Sequence, residues 1–170
     1  MTSFLHSFVG QTLVWIPHHD HFFKPRYVLT APDGTTLATY EIDKGLVPEG
    51  TLWIRQEKRS LKRVLTLGKQ GPLLATYQPK WWTGPTGSRG QLFFPDGREL
   101  RWGKVNFWGT QKAWTDPTSQ TAYVQFSAMR IFSYKSTVQI HPQAVEIPEL
   151  SLLLVLGFYN ILDDKRQNQD

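Results

Sequence analysis

The stretch 148–162 is almost unbroken in its apolarity, with Leu150, Leu152 through Leu156, Phe158, Tyr159, Ile161 and Leu162 closing an otherwise polar chain. As a helix it would span about 22 Å, short of the roughly 30 Å of hydrocarbon in a bilayer, so it predicts a core helix. At about 100° per residue Ser151 and Asn160 fall on opposite sides and leave no polar face, and a helix apolar all round has to be enclosed by protein. Pro148 suits a first turn, and Glu146 and Glu149 suit the positive end of the helix dipole. Asp163 and Asp164 oppose the dipole at the other end, and the polar segment 163–170 is expected to fray into solvent.

From Gln11 to Ile140 short β-branched and aromatic runs are broken roughly every 8 to 12 residues by turn chemistry, the spacing of an all-β barrel or sandwich. Ala31-Pro32-Asp33-Gly34 and Phe94-Pro95-Asp96-Gly97 predict hairpin tips, because Pro presets its φ and Gly takes the left-handed position. Gly68-Lys69-Gln70-Gly71 and Asp116-Pro117-Thr118-Ser119 predict two more. Leu37-Ala38-Thr39-Tyr40 recurs as Leu74-Ala75-Thr76-Tyr77, suggesting a repeated hairpin unit. The predicted strands are 11–16, 26–30, 36–42, 51–55, 63–67, 73–78, 90–94, 98–105, 111–115, 121–126, 130–134 and 136–140. Alternation is clearest in 98–105, which sets Leu100 and Trp102 on one face and Arg101 and Gly103 on the other. A closed antiparallel barrel removes sheet edges, and about twelve strands enclose a lumen too wide for side chains alone. The apolar helix is the expected plug.

The length suits one domain over residues 1–170, with helix 148–162 at its centre. The chain has no cysteine, which removes disulfides, thiolate nucleophiles and cysteine metal sites. Met1 to Phe8 carries no basic, apolar and cleavage-site pattern of a signal peptide, so a cytoplasmic location is expected. Nineteen Lys and Arg against 14 Asp and Glu give a net charge of +5, which mildly favours anionic partners.

The layout of Tyr27 to Leu37, Leu92 to Leu100 and the helix 149–162 resembles the tubby C-terminal-like superfamily, which includes the LURP-one-related proteins and the phospholipid scramblases. The resemblance covers roughly residues 10–162. It implies about twelve antiparallel strands closed around an apolar C-terminal helix, and phosphoinositide or membrane association through basic residues. No ligand-binding position of the family aligns onto this chain, and the Pro-rich N-terminal region and acylated cysteines of scramblase-like members are missing here.

Arg55 to Arg63 is the densest basic run, and Lys58, Arg59, Lys62 and Arg63 are the candidate ligands for an anionic headgroup or phosphate. An ordinary solvated connection is the plainer account of such a run. Lys80 to Gly90 joins two strands with three Gly, a Pro and paired Trp; Trp81 and Trp82, flanked by Lys80 and Arg89, could insert at a lipid interface or stack on a base or sugar. The competing account is that a Trp closes the barrel end, although alternation keeps both from pointing inward together. His18-His19-Asp20-His21 carries metal-ligand chemistry, but strand spacing divides it between two faces, so no metal site is expected. Gly87-Ser88-Arg89-Gly90 lacks the first glycine of a nucleophile elbow, and neither a P-loop nor a dinucleotide fingerprint is present.

These observations predict a mainly β, closed barrel that acts as a non-enzymatic, cofactor-independent binding module. The expected partner is an anionic phospholipid headgroup or another phosphorylated ligand, held peripherally by surface basic residues. The alternatives are a protein-interaction or structural module without a small ligand, and single-stranded nucleic-acid binding.

Overall fold

Asp33 Oδ1 accepts the backbone N–H of Thr35 at 2.9 Å while the N–H of Gly34, at φ +87°, donates to the Ala31 carbonyl at 2.9 Å. Asp96 Oδ1 and Gly97 repeat this turn, with Arg98 N–H at 3.0 Å and a bond from Gly97 to Phe94 at 3.0 Å. Turns at 68–71 and 116–120 close two further hairpins, the second by Asp116 Oδ1 accepting the N–H groups of Thr118 and Ser119, both at 2.8 Å. All four predicted tips thus join consecutive strands.

The computed structural model describes residues 4–18, 25–80, 89–106, 108–127 and 134–167. Its strands are β1 (Thr12–His18), β2 (Arg26–Thr30), β3 (Thr36–Glu41), β4 (Lys44–Val47), β5 (Gly50–Gln56), β6 (Arg63–Leu67), β7 (Leu73–Lys80), β8 (Arg89–Phe93), β9 (Glu99–Lys104), β10 (Gln111–Thr115), β11 (Ala122–Ser127) and β12 (Ser136–Ile140). Each pairs antiparallel with its neighbours in the chain, and β12 returns to β1 with Leu13 opposite Val138 and Trp15 opposite Ser136, so the barrel is closed. The Leu-Ala-Thr-Tyr copies lie in β3 and β7, each delivering a buried tyrosine.

Alternation sorts the two faces. In β9 Leu100 and Trp102 are buried while Glu99 and Arg101 are exposed, and in β12 Ser136, Val138 and Ile140 are buried between exposed neighbours. Into the lumen runs α1 (Leu150–Gln167), buried on every side from Leu150 to Phe158. Phe158 stacks on Trp15 at 4.5 Å between ring centroids and receives Tyr27 and Tyr40 edge-on at 5.0 and 5.6 Å. On the opposite wall Trp102 packs against Trp114 and Phe126 at 4.9 and 5.5 Å. Burial raises the phenol pKa of Tyr40 and Tyr77 well above the usual value. Among the described residues no helix is long and apolar enough to cross a membrane.

Two expectations need correction, and a third falls outside the described residues. The strand β4 escapes the sequence pattern because Gly45 is one of its inward residues: a Cβ there would meet Val155 at 2.7 Å, so the position that should announce a core face carries no side chain. The predicted strand 130–134 falls largely on residues 128–133, outside the described residues, and Tyr134 itself lies outside any strand. Lastly, α1 starts at Leu150 instead of Pro148 and continues to Gln167, so residues 163–167 are helical, not a frayed tail. Ion pairs to the barrel wall sustain that extra turn.

Candidate functional site

Because strand order equals chain order, successive connections alternate between the two ends of the barrel. The β5–β6 connection, residues 57–62, therefore opens at the same end as the β7–β8 connection, which spans 81–88 between Lys80 and Arg89. This is also the end where α1 terminates. Two basic stretches separated in sequence thus meet on one rim.

The β5–β6 connection is locally built. Glu57 N–H bonds to the Lys62 carbonyl at 2.8 Å, Ser60 Oγ donates to Glu57 Oε2 at 2.9 Å, and Leu61 takes φ +55°. Gln78 Nε2 on β7 donates to the Ser60 carbonyl at 3.2 Å, tying the turn to the neighbouring hairpin. Lys58 and Arg59 are exposed and Lys62 is half-buried. Lys80 and Arg89 sit opposite each other across β7 and β8, both exposed. None of these five cations forms an ion pair with a described residue. Trp81 and Trp82 lie outside the described residues, as do His19, Asp20 and His21; among the described residues no three His, Asp or Glu side chains gather to hold a metal.

Arg63 is corrected. It is only 5% exposed and points into the lumen, where Nη1 donates to Asn160 Oδ1 at 3.0 Å and Nη2 pairs with Asp163 at 2.9 Å. Its guanidinium also lies over the Tyr159 ring at 4.6 Å. Beside it Lys112 pairs with buried Asp164, and Lys165 Nζ lies 3.6 Å from the centroid of the Tyr134 ring. These contacts reverse the clash between Asp163, Asp164 and the helix dipole, since each carboxylate meets a cation from the wall. Burial raises the Tyr159 phenol pKa, with Arg63 opposing the shift.

Charge is sorted between the ends. Around the start of α1 lie Asp33, Glu49, Asp96, Glu99, Asp116, Glu146 and Glu149, with Lys69 and Arg98 as the cations among the described residues there. Arg98 is itself neutralised by Glu149, at 3.1 Å from Nη1, and by Asp96. At the other end Glu41 holds Arg26 at 3.5 Å and Lys44 at 3.4 Å, Asp163 and Asp164 are held as above, and Asp43 and Glu57 are the remaining carboxylates among the described residues of the connections there. The sorting follows the dipole of α1, acids at its positive end and bases at its negative end.

Two of the grooves among the described residues lie on the outer wall beside basic side chains. One, of about 500 Å³, is lined by Arg89, Arg101, Lys104, Thr115, Gln120 and Gln125, among others. The other, of about 620 Å³, runs past Trp53, Arg55, Thr66 and Lys69; Lys44 and Lys69 lie 5.7 and 5.8 Å from the Trp53 ring centroid. Sequence reasoning did not nominate Arg101 or Lys104. The signal was partly there, since alternation in 98–105 already set Arg101 and Gly103 outward. What no pattern supplied was that β8 lies alongside and adds Arg89.

Comparison with models of known protein families gives no match, and no curated protein matches the chain.

Proposed function

We propose that this protein is a peripheral binding module, not an enzyme, whose basic rim recognises anionic phospholipid headgroups or another phosphorylated ligand. The single observation that carries this reading is the meeting of Lys58, Arg59 and Lys62 with Lys80 and Arg89 at one end of a charge-sorted barrel. Each such residue near an anionic leaflet contributes about 1 kcal/mol, and this attraction fades within a Debye length of about 8 Å at physiological salt. Contacts of this kind suit reversible docking and fall short of anchoring. Trp108, 79% exposed in the β9–β10 connection of the same end, offers an apolar contact beside the charges. The barrel-and-plug layout favours kinship with the tubby-like proteins, and a cysteine-free chain suits the reducing cytoplasmic side of a membrane.

Single-stranded nucleic acid is the second reading, favoured by Trp53 on the outer wall between Lys44 and Lys69. Co-sedimentation with phosphatidylcholine vesicles, with and without phosphatidylserine, at about 0.05 M and about 0.5 M salt tests the first. Binding is expected with phosphatidylserine at low salt, and it should be lost in Lys58→Ala/Arg59→Ala/Lys62→Ala. Absence of low-salt binding to phosphatidylserine vesicles overturns it. A gel shift of a mixed-sequence oligonucleotide, weakened by Trp53→Ala, would replace it with the second.

A further inference from the structure

Two adjacent strands that turn nothing larger than a methyl group outward leave a depression in a sheet. The strands β9 and β10 do so where Gly103 pairs with Ala113; the Ala113 methyl is itself fully buried, so Gly103 is the floor residue that lines the groove. A Cβ built on Gly103 would meet just one atom within 4 Å, Arg89 Cγ at 3.8 Å, so the floor is open because the residue is glycine. Over that floor lies the groove of about 500 Å³, with Arg89, Arg101 and Lys104 among its lining.

Like Lys58, Arg59, Lys62 and Lys80 at the rim, these three cations lack a carboxylate partner among the described residues, but here they converge on one groove. Arg26, Lys44, Arg63, Arg98 and Lys112 all have carboxylate partners, whereas Arg89, Arg101 and Lys104 form no ion pair with a described residue. No carboxylate is among the described residues lining the groove. Asp116, in the turn that follows Thr115, accepts the N–H groups of its own turn, and Glu99, two positions from Arg101 along β9, forms no ion pair with it. Gathering like charges without a counter-charge is unfavourable, and an anion between them would relieve it.

The geometry points to a binding site for a compact phosphate ester with a hydroxyl-bearing body. Guanidinium forks match the oxygens of a phosphate dianion. A groove of about 500 Å³ falls within the size range of small-molecule sites and exceeds what a bare ion needs, so the ligand carries a body. Trp102 lines the groove but has no exposed surface, so the groove offers no platform for stacking a base. Thr115, Gln120 and Gln125 instead supply hydroxyl and amide partners for hydroxyl groups. This site goes beyond the rim reading and does not rest on it: Arg89 belongs to both, but Arg101, Lys104 and Gly103 belong to the groove alone, and the rim residues 58, 59 and 62 are absent from its lining.

Amide NMR at low salt tests it, with glucose 6-phosphate, inorganic pyrophosphate and glucose as probes. Glucose 6-phosphate is expected to shift the Gly103 resonance saturably and glucose to leave it unmoved. Arg101→Gln should weaken binding about tenfold or more. Gly103→Val, which fills the floor and suits a strand, should abolish it at an unchanged unfolding temperature. Lys58→Ala/Arg59→Ala/Lys62→Ala should retain it, which separates this site from the rim. Phosphatidic acid vesicle binding weakened by Arg101→Gln, without response to the soluble ester, would place the phosphate on a lipid headgroup in the same groove. No saturable shift with either soluble probe together with no vesicle effect of Arg101→Gln, or wild-type affinity in Gly103→Val, overturns the site.

Discussion

The indole nitrogen of Trp114 donates a hydrogen bond to the carbonyl oxygen of Leu153 at 2.9 Å, joining the barrel wall to the backbone of the enclosed helix. Gly157 makes the approach possible. A Cβ at that position would stand 3.0 Å from the same indole nitrogen and 2.4 Å from the Phe126 ring.

Gly157→Ala is therefore a contest between two effects. Alanine raises helix propensity by about 1 kcal/mol, while forcing a methyl group against a ring in a closed lumen costs about 1–3 kcal/mol or more. The steric effect should win, because neither Phe126 nor Trp114 has space to retreat. Urea unfolding is expected to show a lower midpoint for Gly157→Ala, and a higher midpoint would contradict the close approach.

Removing one member of the ion pairs at the end of α1 should be worse than removing both. Lys112→Ala removes the ammonium that faces the buried Asp164 carboxylate, whose side chain is 9% exposed, and is expected to lose about 3–5 kcal/mol. Lys112→Met/Asp164→Leu should recover most of that loss or exceed wild-type stability. Lys58→Ala, on the exposed rim, should stay within about 0.5 kcal/mol of wild type. Chemical denaturation of the three variants gives the comparison.

Acid sensitivity should come from the turns. Backbone N–H donors, from Thr35 to Asp33, Arg98 to Asp96 and Ser119 to Asp116, favour each carboxylate and hold its pKa below the ordinary range. The unfolded chain then binds protons first as pH falls, so these contributions are present above the ordinary carboxylate pKa of about 3.9 and disappear as pH drops through the lowered values. Asparagine keeps the acceptor oxygen without the charge. Thermal melts of Asp33→Asn/Asp96→Asn/Asp116→Asn are expected to fall less steeply below about pH 4 than those of wild type, and superimposable acid limbs would refute this origin.

Leu154 is fully buried at the centre of the plug. Leu154→Ala should cost about 2–5 kcal/mol through the cavity it leaves. Leu154→Asp should prevent cooperative folding at neutral pH, because a carboxylate would be stranded in an apolar lumen. Circular dichroism melts distinguish these outcomes, and a near-wild-type transition for the Asp variant would refute burial of the helix.

The barrel and plug were legible because their signals are local. The apolar run of α1, the Pro-Asp-Gly turns and the alternation of β9 each sit within a few residues of one another. What remained hidden needed contacts between distant segments. Arg63 reads as one more cation in a basic run until Asn160 and Asp163, nearly a hundred residues later, turn it inward. Asp164 reads as a solvent-facing tail residue until Lys112 meets it. Gly45 looks like a breaker until Val155 shows why no side chain fits there. The groove over Gly103 required β8 and β9 to be laid side by side before Arg89 and Arg101 could be seen together.

The enclosed helix is the last element in chain order, so during synthesis on a ribosome every strand emerges before the segment that fills the space between them. Until then the inward aromatic residues of β1 to β12 lack the surface they pack against. Completion of the core therefore depends on residues 150–162 clearing the exit tunnel.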